Sequence, residues 1–215
     1  MVDQKLPLLA MRVNIRFWTA IIVIGFCAFS VGRGVNIVRF SLAMATIGSS
    51  ESMAEIIGKW ATVSGIASTA LQSKLKEKID PSNLAAANSR REALSAMLSI
   101  EPLSSPDWLA LSNVQLITDQ PMDQVFGSLA LSVMTGPNEG YVMAERGMFG
   151  VSLWEDLPPD LKRHVITDLA AGDVPEYGKL RAVLSAKSKA AQNELRAGIL
   201  ATGLSPKEVE RRLGF

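Results

Sequence analysis

Between Phe17 and Val38 the chain reads "FWTAIIVIGFCAFSVGRGVNIV", 22 residues in which Arg33 is the one charge. No acidic residue occurs from Phe17 to Gly48. A helix of about 20 apolar residues spans the hydrocarbon core of a bilayer, so the pattern predicts a single transmembrane helix over 17–38. Phe17 and Trp18 stand at one end, where interfacial aromatics belong. Arg33 stands near the other, where a long basic side chain can reach the interface. Two other readings compete. Ala28 and Ser30 have the small size a signal peptidase requires, which would make the segment a cleaved leader. The same run could also be a buried helix of a soluble protein. Cys27 follows Phe26, a bulky residue unsuited to a lipid-attachment site, and reads as an apolar member of the span. Lys5, Arg12 and Arg16 precede the stretch, against Arg33 and Arg39 at or beyond its end. Positive residues favour the cytoplasmic side. The expectation is a cytoplasmic tail over 1–16 in a bacterial inner membrane, with the remainder on the periplasmic side.

Beyond the apolar run, hydrophobic residues return at helical spacing. Met53, Ile56, Ile57, Trp60, Val63, Ile66, Ala67 and Leu71 form one stripe, preceded by Ser52 and closed by the cations of "KLKEK". A second helix is predicted from Asp80 as N-cap and Pro81 at the first position. Its stripe is Leu84, Ala87, Leu94 and Leu98, and Pro102 ends it. Helices are expected over 107–118 and 121–135, the latter stopped by Gly136 and Pro137. Two more follow, in "YVMAERGMFGVSLWEDL" and "PDLKRHVITDLAAGD", hinged at Pro158–Pro159. One long helix is expected in "EYGKLRAVLSAKSKAAQNELRAGILATG", closed by Gly203. A last short one, "SPKEVERRLGF", has Ser205 as cap and Pro206 in its first turn. No alternation of strand type persists. The short turns imply antiparallel neighbours. The fold class is all-α, about seven helices behind the membrane span. The divisions are 39–88 for juxtamembrane helices and 89–215 for the main helical domain.

Composition agrees and narrows the chemistry. Of 215 residues, 48% are hydrophobic and 6% aromatic, a balance that favours helix over sheet. The net charge of +1 supplies no basic face of the kind nucleic acid requires. Cys27 is the only cysteine, so no internal disulfide forms and cysteine usage leaves the compartment open.

Two segments resemble each other, "ALSAMLSIEP" and "ALSVMTGPN". Ala93 matches Ala130, and Pro102 and Pro137 each end a helix 35 residues apart. Tetratricopeptide repeats have a period of about 34 residues. From Ser89 to Gly172 the chain resembles degenerate tetratricopeptide repeats. Trp108, Leu111 and Ser112 stand where that family has the aromatic, leucine and small residue of a first helix. The family's late tyrosine is Gln115 here, and the second helix runs long. The resemblance implies a tetratricopeptide-like α-solenoid of antiparallel helix pairs that bind a protein on an exposed face. Trp108, wedged between helices, and Leu111 would be structural anchors. Asn138, Glu139 and Tyr141 would form a partner-contact loop.

Catalytic constellations are sparse. His164 is the only histidine, with Asp160 and Asp168 at four-residue spacing on its helix. A His164–Asp168 pair in acid–base chemistry would make this a small envelope enzyme. Arg90, Arg91 and Glu92 read as a solvated face, with contact to an anionic partner as the alternative. The cluster Met97, Met122, Met134, Met143 and Met148 has the spacing of adaptable core, although a methionine-lined groove suits an apolar partner. "GPNEGYVMAERG" lacks phosphate-loop spacing, and no metal-ligand pattern occurs. The expectation is a non-catalytic, cofactor-free, membrane-anchored scaffold or accessory subunit that holds protein partners within an integral membrane complex. By analogy it would serve the bacterial envelope, in exopolysaccharide or other surface-polysaccharide assembly, with no small-molecule substrate. A structural subunit inside a larger membrane complex is the further alternative.

Overall fold

The structure, a computed structural model, describes residues 21–28, 30–32, 35, 38, 83–172 and 177–214. Among these residues every regular element is an α-helix. The chain divides into two units, Met1–Lys76 and Glu77–Phe215. In the first, the described residues between 21 and 38 are helical, and Ile22, Ile24 and Phe26 are exposed at 69%, 67% and 71%. Among the described residues no helix is long and apolar enough to cross a membrane. The span expected over 17–38 lies in part outside them.

The second unit holds eight helices: α1 (Leu84–Ile100), α2 (Ser105–Ile117), α3 (Met122–Thr135), α4 (Gly140–Ser152), α5 (Pro159–Ala171), α6 (Tyr177–Ser185), α7 (Lys189–Ala201) and α8 (Pro206–Leu213). Their ends follow local chemistry. The Asn83 side chain accepts from Ala86 N–H at 3.0 Å and opens α1. The cap expected at Asp80 falls outside the described residues, and the expected border between 88 and 89 cuts through α1. In α2, Pro106 occupies the first turn, where its missing N–H costs no helical bond, and Ser104 Oγ donates to Asp107 at 2.6 Å. Asp119 adopts φ 53° between α2 and α3, a left-handed conformation that Asp tolerates better than most residues. Ser205 Oγ accepts from Glu208 N–H at 3.2 Å and Pro206 follows, as the sequence predicts for α8.

The long helix expected over 176–203 is instead two. Ser188 opens α7 by accepting from Ala191 N–H at 3.1 Å. Gln192 Nε2 then turns back to the carbonyls of Leu184 and Lys187, at 2.9 and 3.1 Å. A buried amide on the second helix thus satisfies carbonyl groups at the end of the first, and the break costs few unpaired groups.

Packing follows a regular order. α2 packs on α3 and α4 on α5, with α1 against α2. Between these pairs α2 meets α4 and α3 meets α5; further on α4 meets α6, α5 meets α7, and α8 meets both α6 and α7. Small residues set the close approaches. A Cβ on Gly150 would lie 2.2 Å from Val165 Cγ2, and one on Gly147 2.8 Å from Leu169 Cδ2. The α4–α5 crossing therefore exists only because α4 presents glycines there. Ser112 does similar work between α2 and α3, donating to Val125 O at 2.7 Å while fully buried. Around these contacts lies a core of Val125, Leu129, Val142, Val151, Trp154, Val165, Leu169, Leu180, Leu195, Ile199 and Val209.

Candidate interaction surface

One end of the stack gathers the C-termini of α1, α3 and α5 and the N-termini of α2 and α4. Connectivity brings the first four together, and Gly172, whose Cβ would lie 3.1 Å from Ala144 N, adds the fifth. Helix C-termini leave carbonyl groups without intrahelical partners, and here a buried arginine collects them. Arg146 of α4 is 1% exposed. Its Nη1 donates to Ser132 O at 2.9 Å and Gly136 O at 3.2 Å. Its Nε and Nη2 donate to the two oxygens of Asp168 on α5, at 2.6 and 2.8 Å. Ser105 of α2 donates to the same Ser132 carbonyl at 2.8 Å. The guanidinium thereby joins α3, α4 and α5, and α2 is tied in through the shared Ser132 carbonyl. Its planar fork matches a carboxylate in two places at once, which an ammonium could not do. Burial pushes the Asp168 carboxyl above its ordinary range, against the opposing pull of Arg146 and, more weakly, His164.

This network holds the α3–α4 connector. Gly136 lies so close to Ser105 that a Cβ would stand 2.5 Å from the serine Cβ and 2.9 Å from Glu139 Cδ. The connector then runs over the surface with Pro137, Asn138 and Glu139 exposed, and Tyr141 exposed at 63%. Met134, Leu103 and, less so, Ile100 are the other exposed large apolar side chains at this end among the described residues, at 75%, 77% and 39%. The Tyr141 phenol is raised above its usual pKa, first by the burial of part of the ring and then by the carboxylates of Glu139, Glu145 and Asp107.

The anticipated site residues separate into two groups. Asn138, Glu139 and Tyr141 do share an exposed edge. Leu111 is buried at 4%. Trp108, expected as a wedge between helices, is only half-buried, and its Nε1 donates to Pro102 O at 2.8 Å on the α1–α2 connector. The deeply buried indole is Trp154, 2% exposed, whose Nε1 donates to Glu194 at 3.0 Å. The two segments that resemble each other are not equivalent in burial. Met97 is 4% exposed where Met134 is 75%, and Ser95 is exposed where Ser132 is fully buried. Met97 and Met143 are core, Met122 and Met148 pack against it, and Met134 alone of the five faces outward.

The histidine pairing does not form as the spacing suggests. Both oxygens of Asp168 are taken by Arg146, Asp160 pairs with Arg163, and His164 is exposed. Sequence reasoning missed Arg146 altogether. Its only mark is position: it stands in a helix stripe with Val142, Met143 and Gly150, where an unpaired cation would be costly. Among the described residues no group of three or more His, Cys, Asp and Glu is placed to hold a metal ion. Compared with known proteins, the chain matches no family model, no curated protein and no solved structure.

Proposed function

We propose that this chain is a non-catalytic scaffold, tethered to a bacterial membrane through its apolar N-terminal segment, that seats a protein partner on the end of its helical unit. The observation that carries the reading is the exposed trio Leu103, Met134 and Tyr141 at the end held by Arg146. Tyrosine and methionine are enriched at protein interfaces, and a support that does not rearrange spares a complex the entropy of ordering it. The order of packing, in which first helices meet first helices and second meet second, supports a stack of the tetratricopeptide-like kind between α2 and α5. Exposed Ile22, Ile24 and Phe26 support insertion of the N-terminal segment into lipid. The basic residues ahead of it favour an orientation that leaves the helical unit outside the cytoplasm.

The test is fractionation and co-purification of the full chain from native membranes in mild detergent. The chain is expected to resist an alkaline wash and to retain a partner at fixed stoichiometry. Met134→Asp combined with Tyr141→Glu, both at exposed positions, is expected to release the partner with the helical circular dichroism unchanged. Loss of the chain from the membrane in the wash would refute the tether, and a partner indifferent to the double substitution would refute the docking end.

A further inference from the structure

In the C-terminal part of the unit, α6, α7 and the end of α8 enclose an open groove of about 270 Å³, lined by Arg181, Ser185, Lys189, Gln192, Leu213 and Gly214. Among the described residues that line it, two are cations and none is a carboxylate. Both cations are positioned by the fold. Gln192, 6% exposed, donates its amide to Leu184 O and Lys187 O, which turns Oε1 outward to accept from Lys189 Nζ at 3.1 Å. Arg181 lies across the C-terminal turn of α8 and donates from Nη2 to Arg211 O. Gly214, at φ 83°, is what admits it: a Cβ there would stand 2.8 Å from Arg181 Cδ and 2.9 Å from Nε. Among the described residues Arg211 O is the only partner of the Arg181 guanidinium, so its remaining N–H groups are available. Buried Leu213 supplies an apolar wall.

We propose that this groove is an oxyanion site for a phosphate monoester group. A phosphate monoester carries about −1.5 to −2 charge at neutral pH, matching two cations, whereas a carboxylate carries one negative charge. The guanidinium fork takes two phosphate oxygens, and the ammonium serves as a point charge on the third. The volume lies just under the roughly 300–1,000 Å³ of drug-sized pockets. It suits a phosphate with a short organic body laid on Leu213, rather than a nucleotide. Such a group could come from a soluble phosphorylated compound or from the headgroup of phosphatidic acid.

The test uses the full chain in mild non-ionic detergent. Equilibrium dialysis with radiolabelled inorganic phosphate is compared with acetate competition at matched ionic strength. A second arm uses short-chain dihexanoyl phosphatidic acid below its micellar concentration, with the phosphatidylcholine analogue as control. Saturable one-site binding is expected, with acetate a weak competitor. Lys189→Gln, at an exposed position, is expected to lower affinity about five- to tenfold by removing one charge-assisted bond with helical content unchanged. Binding of both phosphate probes identifies the phosphate group itself as the recognised element, and binding of phosphatidic acid alone identifies a lipid headgroup as its source. The proposal is overturned if neither probe saturates, if acetate competes as well as phosphate, or if Lys189→Gln binds like the unsubstituted chain.

Discussion

Asp168→Ala tests the network that organises the candidate surface, because it strands a charge that cannot be discharged. The substitution removes both acceptors of Arg146 Nε and Nη2, at 2.6 and 2.8 Å. The guanidinium left behind is 1% exposed, and arginine does not lose its proton in proteins. Breaking a buried pair in this way costs about 3–5 kcal/mol, a large share of a domain's total of about 5–15 kcal/mol. The reverse substitution, Arg146→Met, is expected to cost less, about 1–3 kcal/mol, chiefly for carbonyls that lose a donor. Ser132 O keeps its bond from Ser105. Asp168, already raised by burial and now without its cation, can take up a proton and become neutral. The pH dependence follows. In the Arg146→Met chain the folded carboxyl has a higher pKa than the unfolded one, so between the two the folded state binds more protons. Stability then rises as pH falls through that window and is lost as pH rises. The assay is urea unfolding of the full chain in mild detergent, followed by far-ultraviolet circular dichroism at several pH values. Arg146→Met with Asp168→Leu replaces the pair by apolar groups and should recover most of the Asp168→Ala loss. The reasoning is refuted if Asp168→Ala proves no more costly than Arg146→Met at neutral pH, or if Arg146→Met becomes more stable as pH rises.

Trp154→Ala should cost about 3–5 kcal/mol as a buried aromatic truncation, and Trp108→Ala distinctly less because that indole is half-buried; paired urea melts rank them. Gly150→Ala forces a methyl against Val165 and should destabilise by about 1–3 kcal/mol through overpacking, a loss that Val165→Ala in the same chain should partly relieve. Arg211 and Arg212 hold Glu208 at about 2, against 4.5 ordinarily. The stabilisation of α8 is therefore complete above pH 4.5 and is lost as pH falls through about 2. Glu208→Gln should be less helical than the unsubstituted chain at neutral pH, with the difference closing in acid when followed by circular dichroism.

The all-helical character and most helix ends were legible in the chain alone, because they depend on neighbours within a few residues. Pro102, Pro137, Gly203 and the Ser205–Pro206 pair act through dihedral preference and local caps. Those act the same way whatever the helix later packs against. The break at Ser188 was not legible. "VLSAKSKAAQ" has helical propensity throughout, and the turn is held by Gln192 reaching back to two carbonyls.

The identity of the anchoring side chains belonged to tertiary structure alone. Trp108 and Trp154 are equally apolar as sequence, yet one lies at an edge and the other in the core, since burial depends on which helix covers a residue. Met97 and Met134 sit in matching strings of residues and differ in burial for the same reason. In the sequence Asp168 pairs by spacing with His164 and Arg146 carries no signal of a partner; the two meet only because Gly147 and Gly150 bring α4 and α5 together. Periodicity can say that a helix has an inner face. The pairing of two charges 22 residues apart depends on the crossing of two helices, which no local pattern encodes.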